Sequence, residues 1–97
     1  MNPDLEFQKV TQKANSYMSS ASIDLIQKAY SFAKESHENQ QRISKEPYIT
    51  HPVAVASILV NLEQDPASIA AALLHDTIED TKTTAEDIEK EFGEDIT

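Results

Sequence analysis

The feature that most constrains this chain is its most apolar run, Ile69-Ala70-Ala71-Ala72-Leu73-Leu74, followed at once by His75-Asp76-Thr77-Ile78-Glu79-Asp80-Thr81. Asp65 and Pro66 stand ahead of the run as an N-cap and a first-turn proline, so the pattern predicts a buried helix reaching His75. His75, Asp76, Glu79 and Asp80 then bring one imidazole and three carboxylates together at the end of that helix. Such a grouping makes a site on a rigid support, where ligands are held at little ordering cost.

The remaining chain reads as helices able to surround this one. A length of 97 residues suits one small domain with a modest core. One Gly, four Pro, no Cys and no Trp, beside many Ala, Glu, Gln, Ile and Leu, favour helices over strands. The expected fold class is therefore all-α. Leu5, Val10, Ala14, Tyr17 and Met18 predict a first amphipathic helix from residue 4 to about residue 18. Ser19-Ser20-Ala21-Ser22 interrupts it and offers an N-cap, with Asp24 in the first turn of a second helix that runs to about His37. Ile26, Ala29, Tyr30, Ala33 and His37 form the buried stripe of that helix.

Periodicity is lost from Glu38 to Thr50, and Pro47 prevents helix two from continuing, so a loop carrying Arg42, Ser44 and Lys45 is expected. Thr50-His51-Pro52 reads as the start of a third helix through about Leu62. Its Val53, Val55, Ala56, Ile58, Leu59 and Val60 occupy most of its circumference, which predicts a largely buried helix. A last helix should begin at Thr83 or Thr84, where Thr83-x-x-Glu86 has the form of a capping box, and stop at Gly93. Ala85, Ile88 and Phe92 give it an inner face. There is no internal repeat and no interdomain linker.

Charge narrows the function classes. The net charge is −9, and residues 63–97 carry eleven acids against two bases, whereas residues 1–62 carry six of each. Nucleic-acid binding draws its affinity from Lys and Arg displacing counterions, so no nucleic-acid partner is expected. An acidic cluster holds a cation instead. Without cysteines, a basic leader or a membrane-length apolar run, the expectation is a cytoplasmic protein that does not engage a membrane.

His75 and Asp76 are adjacent and cannot share one helical face, but at a helix end the backbone can turn both toward one ion. His51 supplies a third ligand if helices three and four are antiparallel neighbours, which their short connection favours. Two imidazoles and a carboxylate suit Mn, Fe or Zn better than calcium. Three ligands leave room for water, the arrangement of a phosphohydrolase, and Glu79 and Asp80 could orient that water or handle protons. The plainer reading is a helix-terminal His followed by a solvated acidic stretch. His37 is read as a partly buried histidine outside the site, and the Arg42 loop as a solvated connection.

Gln41-Arg42-Ile43-Ser44-Lys45-Glu46-Pro47-Tyr48-Ile49-Thr50-His51-Pro52, then Ala71-Ala72-Leu73-Leu74-His75-Asp76-Thr77-Ile78-Glu79-Asp80-Thr81, then Glu91-Phe92-Gly93, together resemble the N-terminal hydrolase domain of the RelA/SpoT family, in the HD superfamily. The resemblance covers roughly Ala29 to Gly93. It implies an HD-domain-like bundle of about five helices with Mn2+ as cofactor, another divalent transition metal being the alternative. It also implies removal of pyrophosphate from the 3′ position of guanosine tetraphosphate or pentaphosphate, (p)ppGpp, yielding GDP or GTP.

Carried over by position, His51, His75 and Asp76 match metal ligands. Glu79 and Asp80 match the pair that activates the attacking water, and Arg42 and Ser44 match the nucleotide-binding loop, where a guanidinium stacks on the guanine. The family usually has Gly where Asn39 and Lys45 stand here. Its hydrolase domain continues past the Phe-Gly motif to a later Asp that is a fourth ligand, so residues 1–97 correspond to the N-terminal portion of that domain. Glu86, Asp87, Glu94 and Asp95 do not match that Asp and read as a solvated face. Two other readings stand beside the hydrolase. One is a catalytically incomplete module that binds a partner or a second copy through the face the later helices would cover. The other is the same fold acting on a different nucleotide or phosphate ester.

Overall fold

The computed structural model describes residues 2–37, 49–80 and 85–92. These form five α-helices, α1 (Pro3–Ala14), α2 (Ser20–Ser36), α3 (Thr50–Asn61), α4 (Pro66–Asp80) and α5 (Ala85–Phe92), and among the described residues there is no strand. The all-α expectation holds. No helix among them is long and apolar enough to cross a membrane.

α1 and α2 start where the sequence offers a side-chain partner for unpaired first-turn N–H groups. Asn2 caps α1, its side-chain oxygen accepting from the N–H of Asp4 at 3.0 Å and of Leu5 at 3.3 Å. Ser19 caps α2 by accepting from the Ser22 N–H at 3.2 Å, which leaves Asp24 beyond the first turn rather than in it. Asp65 precedes α4, accepting from the Ser68 hydroxyl, while its carbonyl takes the Ile69 N–H at 3.2 Å. α3 departs from the expected pattern. Its helix already includes Thr50, and Ile49 holds the cap position without a side-chain hydrogen bond. Pro52 fits inside the first turn because the N–H it lacks would have had no intrahelical acceptor there.

α1 ends at Ala14 instead of reaching residue 18. A turn held by Ser16 N–H to Lys13 O and Met18 N–H to Ala14 O follows it, and Tyr17 and Met18 pack on the core from that turn. The Tyr17 hydroxyl donates to the Gln64 carbonyl at 2.8 Å, tying the start of α2 to the α3–α4 turn. This tertiary bond outweighs local helix propensity.

The α3–α4 turn closes as a Schellman motif, with Gln64 N–H on Leu59 O at 3.1 Å and Glu63 N–H on Val60 O at 3.0 Å. It places Glu63 at φ 54°, a conformation that favours glycine. The turn sends α4 back alongside α3. α4 is the central helix, packed on α2 and α3, while α1 lies across α2 and α3. Ile26, Ile69, Leu73, Ile88, Val10, Val53 and Val60 are fully enclosed. α5 docks on α2 through Phe92, edge-on to Phe32 at 5.5 Å, and through Lys28, whose ammonium donates to the Glu91 carbonyl at 2.6 Å.

α3 is less buried than its composition predicts, with Ile58 61% exposed and Leu62, just past its end, 64% exposed. Its partners are α1 and α4, and two helices cannot cover a full circumference. Substituting Leu73→Ala, at the centre of the bundle, is expected to remove about 2–5 kcal/mol of stability, the usual cost of lost transfer free energy plus a cavity. Urea unfolding followed by helical circular dichroism measures it, and a loss below 1 kcal/mol, on the order of a surface change, would contradict the central placement of α4.

Asp4 joins α1 to α2. Its carboxylate accepts from the Tyr30 hydroxyl and from the Lys34 ammonium at 2.9 Å, while the Tyr30 ring stacks on Phe7 at 4.0 Å. The Tyr30 hydrogen bond, then Lys34, hold the Asp4 carboxyl below its ordinary value of 3.8, and burial followed by Asp4 itself pushes the Tyr30 phenol well up. A carboxyl lowered by folding contributes stability above its unfolded pKa, and that contribution is lost as pH falls through the folded value. Asp4 is half exposed, so its contribution stays within about 1 kcal/mol. The melting-temperature gap between the parent and Asp4→Asn should be constant near neutrality and close on acidification below about pH 4. A gap that does not change with pH would contradict the pairing.

Candidate metal centre at one end of the bundle

The turn at residues 62–65 fixes the levels of the helices. From Asn61 back to His51, and from Pro66 forward to His75, α3 and α4 rise about 15 Å and about 14 Å. His51 and His75 therefore stand at the same level, on adjacent antiparallel helices, at the end of the bundle opposite the turn. Both residues are exposed. The antiparallel arrangement expected from the short connection is the one found.

α2 starts beside the α3–α4 turn, as the Tyr17–Gln64 hydrogen bond shows, so it ends at the histidine end of the bundle. His37 closes it there, donating its backbone N–H to Ala33 O at 3.0 Å. Its side chain is 3% exposed, deeper than the partial burial read from the sequence. All three histidines of the chain thus occupy one end of the fold. Thr50, adjacent to His51, is 6% exposed, and its hydroxyl makes no hydrogen bond among the described residues. Sequence reading treated Thr50 only as a helix start, since a buried hydroxyl leaves no signature in spacing.

α4 does not end at His75. It continues to Asp80, so His75 and Asp76 are consecutive positions of an unbroken helix, about 100° apart around its axis. The expected turning of the backbone at this pair is not found, because the helix runs on through the acidic stretch. In this register position 79 lies one turn beyond position 75, and position 80 one turn beyond position 76. The side chains of Asp76, Glu79 and Asp80 lie outside the described residues, as do Arg42 and Ser44. The Thr83 capping box and the Gly93 stop lie there too. Among the described residues no three His, Cys, Asp or Glu side chains gather as a metal cluster. Of the ligand candidates, the described side chains are His51 and His75, both exposed, and imidazole is a donor that suits a divalent transition ion.

Residues 29–97 match the HD domain family. The chain is 46% identical over 90 residues to the bifunctional (p)ppGpp synthase/hydrolase SpoT of Escherichia coli, covering 93% of this chain and 13% of that protein. It is 58% identical over 69 residues to a guanosine-3′,5′-bis(diphosphate) 3′-pyrophosphohydrolase of Aquifex aeolicus, covering 71% of this chain and 10% of that protein. A GTP pyrophosphokinase of Streptomyces coelicolor is 41% identical over 97 residues, with 99% and 12% covered. The chain thus spans only about an eighth of the length of these curated relatives. Its matched residues include all of α3, α4 and α5 and the histidine end of α2, and the chain belongs to the HD domain family, in the branch of the RelA/SpoT proteins.

Proposed function

We propose that this chain carries the divalent-metal end of a (p)ppGpp 3′-pyrophosphohydrolase, acting in the cytoplasm on guanosine tetraphosphate or pentaphosphate. The reading is supported by helix lengths that put positions 51 and 75 at similar heights on the neighbouring helices α3 and α4, in a chain 58% identical over 69 residues to a protein named for this hydrolysis. His51, His75 and Asp76 would hold the ion, Mn2+ in this proposal. When bound, it supplies Lewis acidity that polarises a phosphoryl oxygen and makes a water nucleophilic near neutral pH. Glu79 and Asp80 accept and return the proton of the attacking water. Arg42 offers a planar cation for stacking on the guanine, and Ser44 a hydroxyl for the nucleotide.

The test is pyrophosphate release from (p)ppGpp by the chain with Mn2+, with a chelator, and with His75→Ala. Release that needs the metal and disappears in the variant is expected. Release unaffected by chelator and by the variant would overturn the metal assignment, and binding of (p)ppGpp without release would favour a nucleotide-binding module.

A further inference from the structure

His37 takes no part in the proposed chemistry, yet it is one of two polar side chains buried among the described residues. It extends the α2 stripe Ile26, Ala29 and Ala33, and α2 lies along α4. The tie between Tyr17 and Gln64 starts α2 and α4 from one end, so they run in the same sense. From Ser20 to His37 the rise is about 25 Å, and from Pro66 to Asp80 about 21 Å. His37 therefore comes level with the last turns of α4, which carry positions 76, 79 and 80. An apolar side chain would fill this place without having polar atoms to desolvate, and burying an imidazole is unfavourable unless it gains polar partners.

We propose that His37 is a positioning residue for the metal end: its buried imidazole fixes the rotation of the last turns of α4, and with them the approach of His75 and Asp76 to the ion. This rests on the metal reading given above. Groups that orient metal ligands from behind change metal affinity about tenfold to a hundredfold when removed. A residue that serves packing alone would change stability and leave affinity where it was.

The experiment compares the chain with His37→Leu, His37→Gln and His75→Ala by three measurements: metal-free thermal unfolding, calorimetric titration with Mn2+, and metal-free amide chemical shifts. His37→Leu should melt close to the parent, bind Mn2+ about tenfold or more weakly, and show shift changes concentrated in residues 73–80. His37→Gln, which keeps a hydrogen-bonding side chain of similar reach, should recover part of the affinity. If His37→Leu fails to fold, His37→Gln carries the same comparison against His75→Ala. Mn2+ affinity within twofold of the parent, in a folded His37 variant, would overturn the proposal. If parent and His75→Ala bind Mn2+ equally, it is the metal reading that fails. The amide shifts then decide for His37: no change in residues 73–80 overturns the bracing of α4, and localised change supports it.

Discussion

Asp76→Ala is expected to abolish the proposed Mn2+ binding while its helical signal and melting temperature stay near those of the parent. Asp76 lies within α4, where alanine is the best helix former, so the substitution does not threaten the helix. In the proposed set it supplies the negative charge, His51 and His75 being neutral donors when they bind a metal. Losing the carboxylate would leave the proposed ligand set with two neutral imidazoles and no anionic member. The loss should exceed the roughly tenfold to hundredfold typical of residues that only support a ligand. Calorimetric titration of parent and variant measures it. Unchanged affinity would show that Asp76 is not a ligand, whatever becomes of the two histidines.

If the proposed hydrolysis holds, Glu79→Gln is expected to lower its rate at saturating Mn2+ by about a hundredfold to ten-thousandfold, the usual range for a positioned proton acceptor. Position 79 falls one turn beyond His75 on the same helix, so a carboxylate there follows the metal end rather than forming it. Glutamine keeps the size and the helix propensity and removes only the ability to take a proton. Mn2+ affinity should therefore remain within a few-fold of the parent, which separates this variant from Asp76→Ala. Asp80→Asn, one turn beyond Asp76, is expected to act in the same direction. Full activity in both variants would remove the pair from the reaction.

Much of this arrangement could be read from the residues because it depends on local rules. The stripe of α2, the cap at Ser19 and the start of α4 at Pro66 after Asp65 each rest on a few neighbouring positions, and each is present in the fold. The packing of α3 against α4 was legible for a related reason, since a short turn between two helices leaves them neighbours. What escaped the sequence depends on distant groups. Tyr17 leaves the α1 periodicity to reach a carbonyl in the α3–α4 turn. α3 looked largely buried because apolar residues occupy most of its circumference, but how many helices surround it is a property of the whole bundle, and Ile58 remains exposed. The continuation of α4 to Asp80 was missed because the acidic stretch lacks an apolar stripe, although Ile78, Glu79 and Asp80 are compatible with helix. His37 was recognised as the end of a stripe, but its near-complete burial needed the packed structure.

Whether His51 and His75 share one ion is tested most directly by paramagnetic broadening. In a stepwise Mn2+ titration of the chain, the imidazole signals of both residues should vanish together well before one equivalent is reached, while the ring signals of Phe7 in the α1 core persist. Broadening of only one of the two imidazoles, or broadening of neither, would contradict a shared metal centre at this end of the bundle.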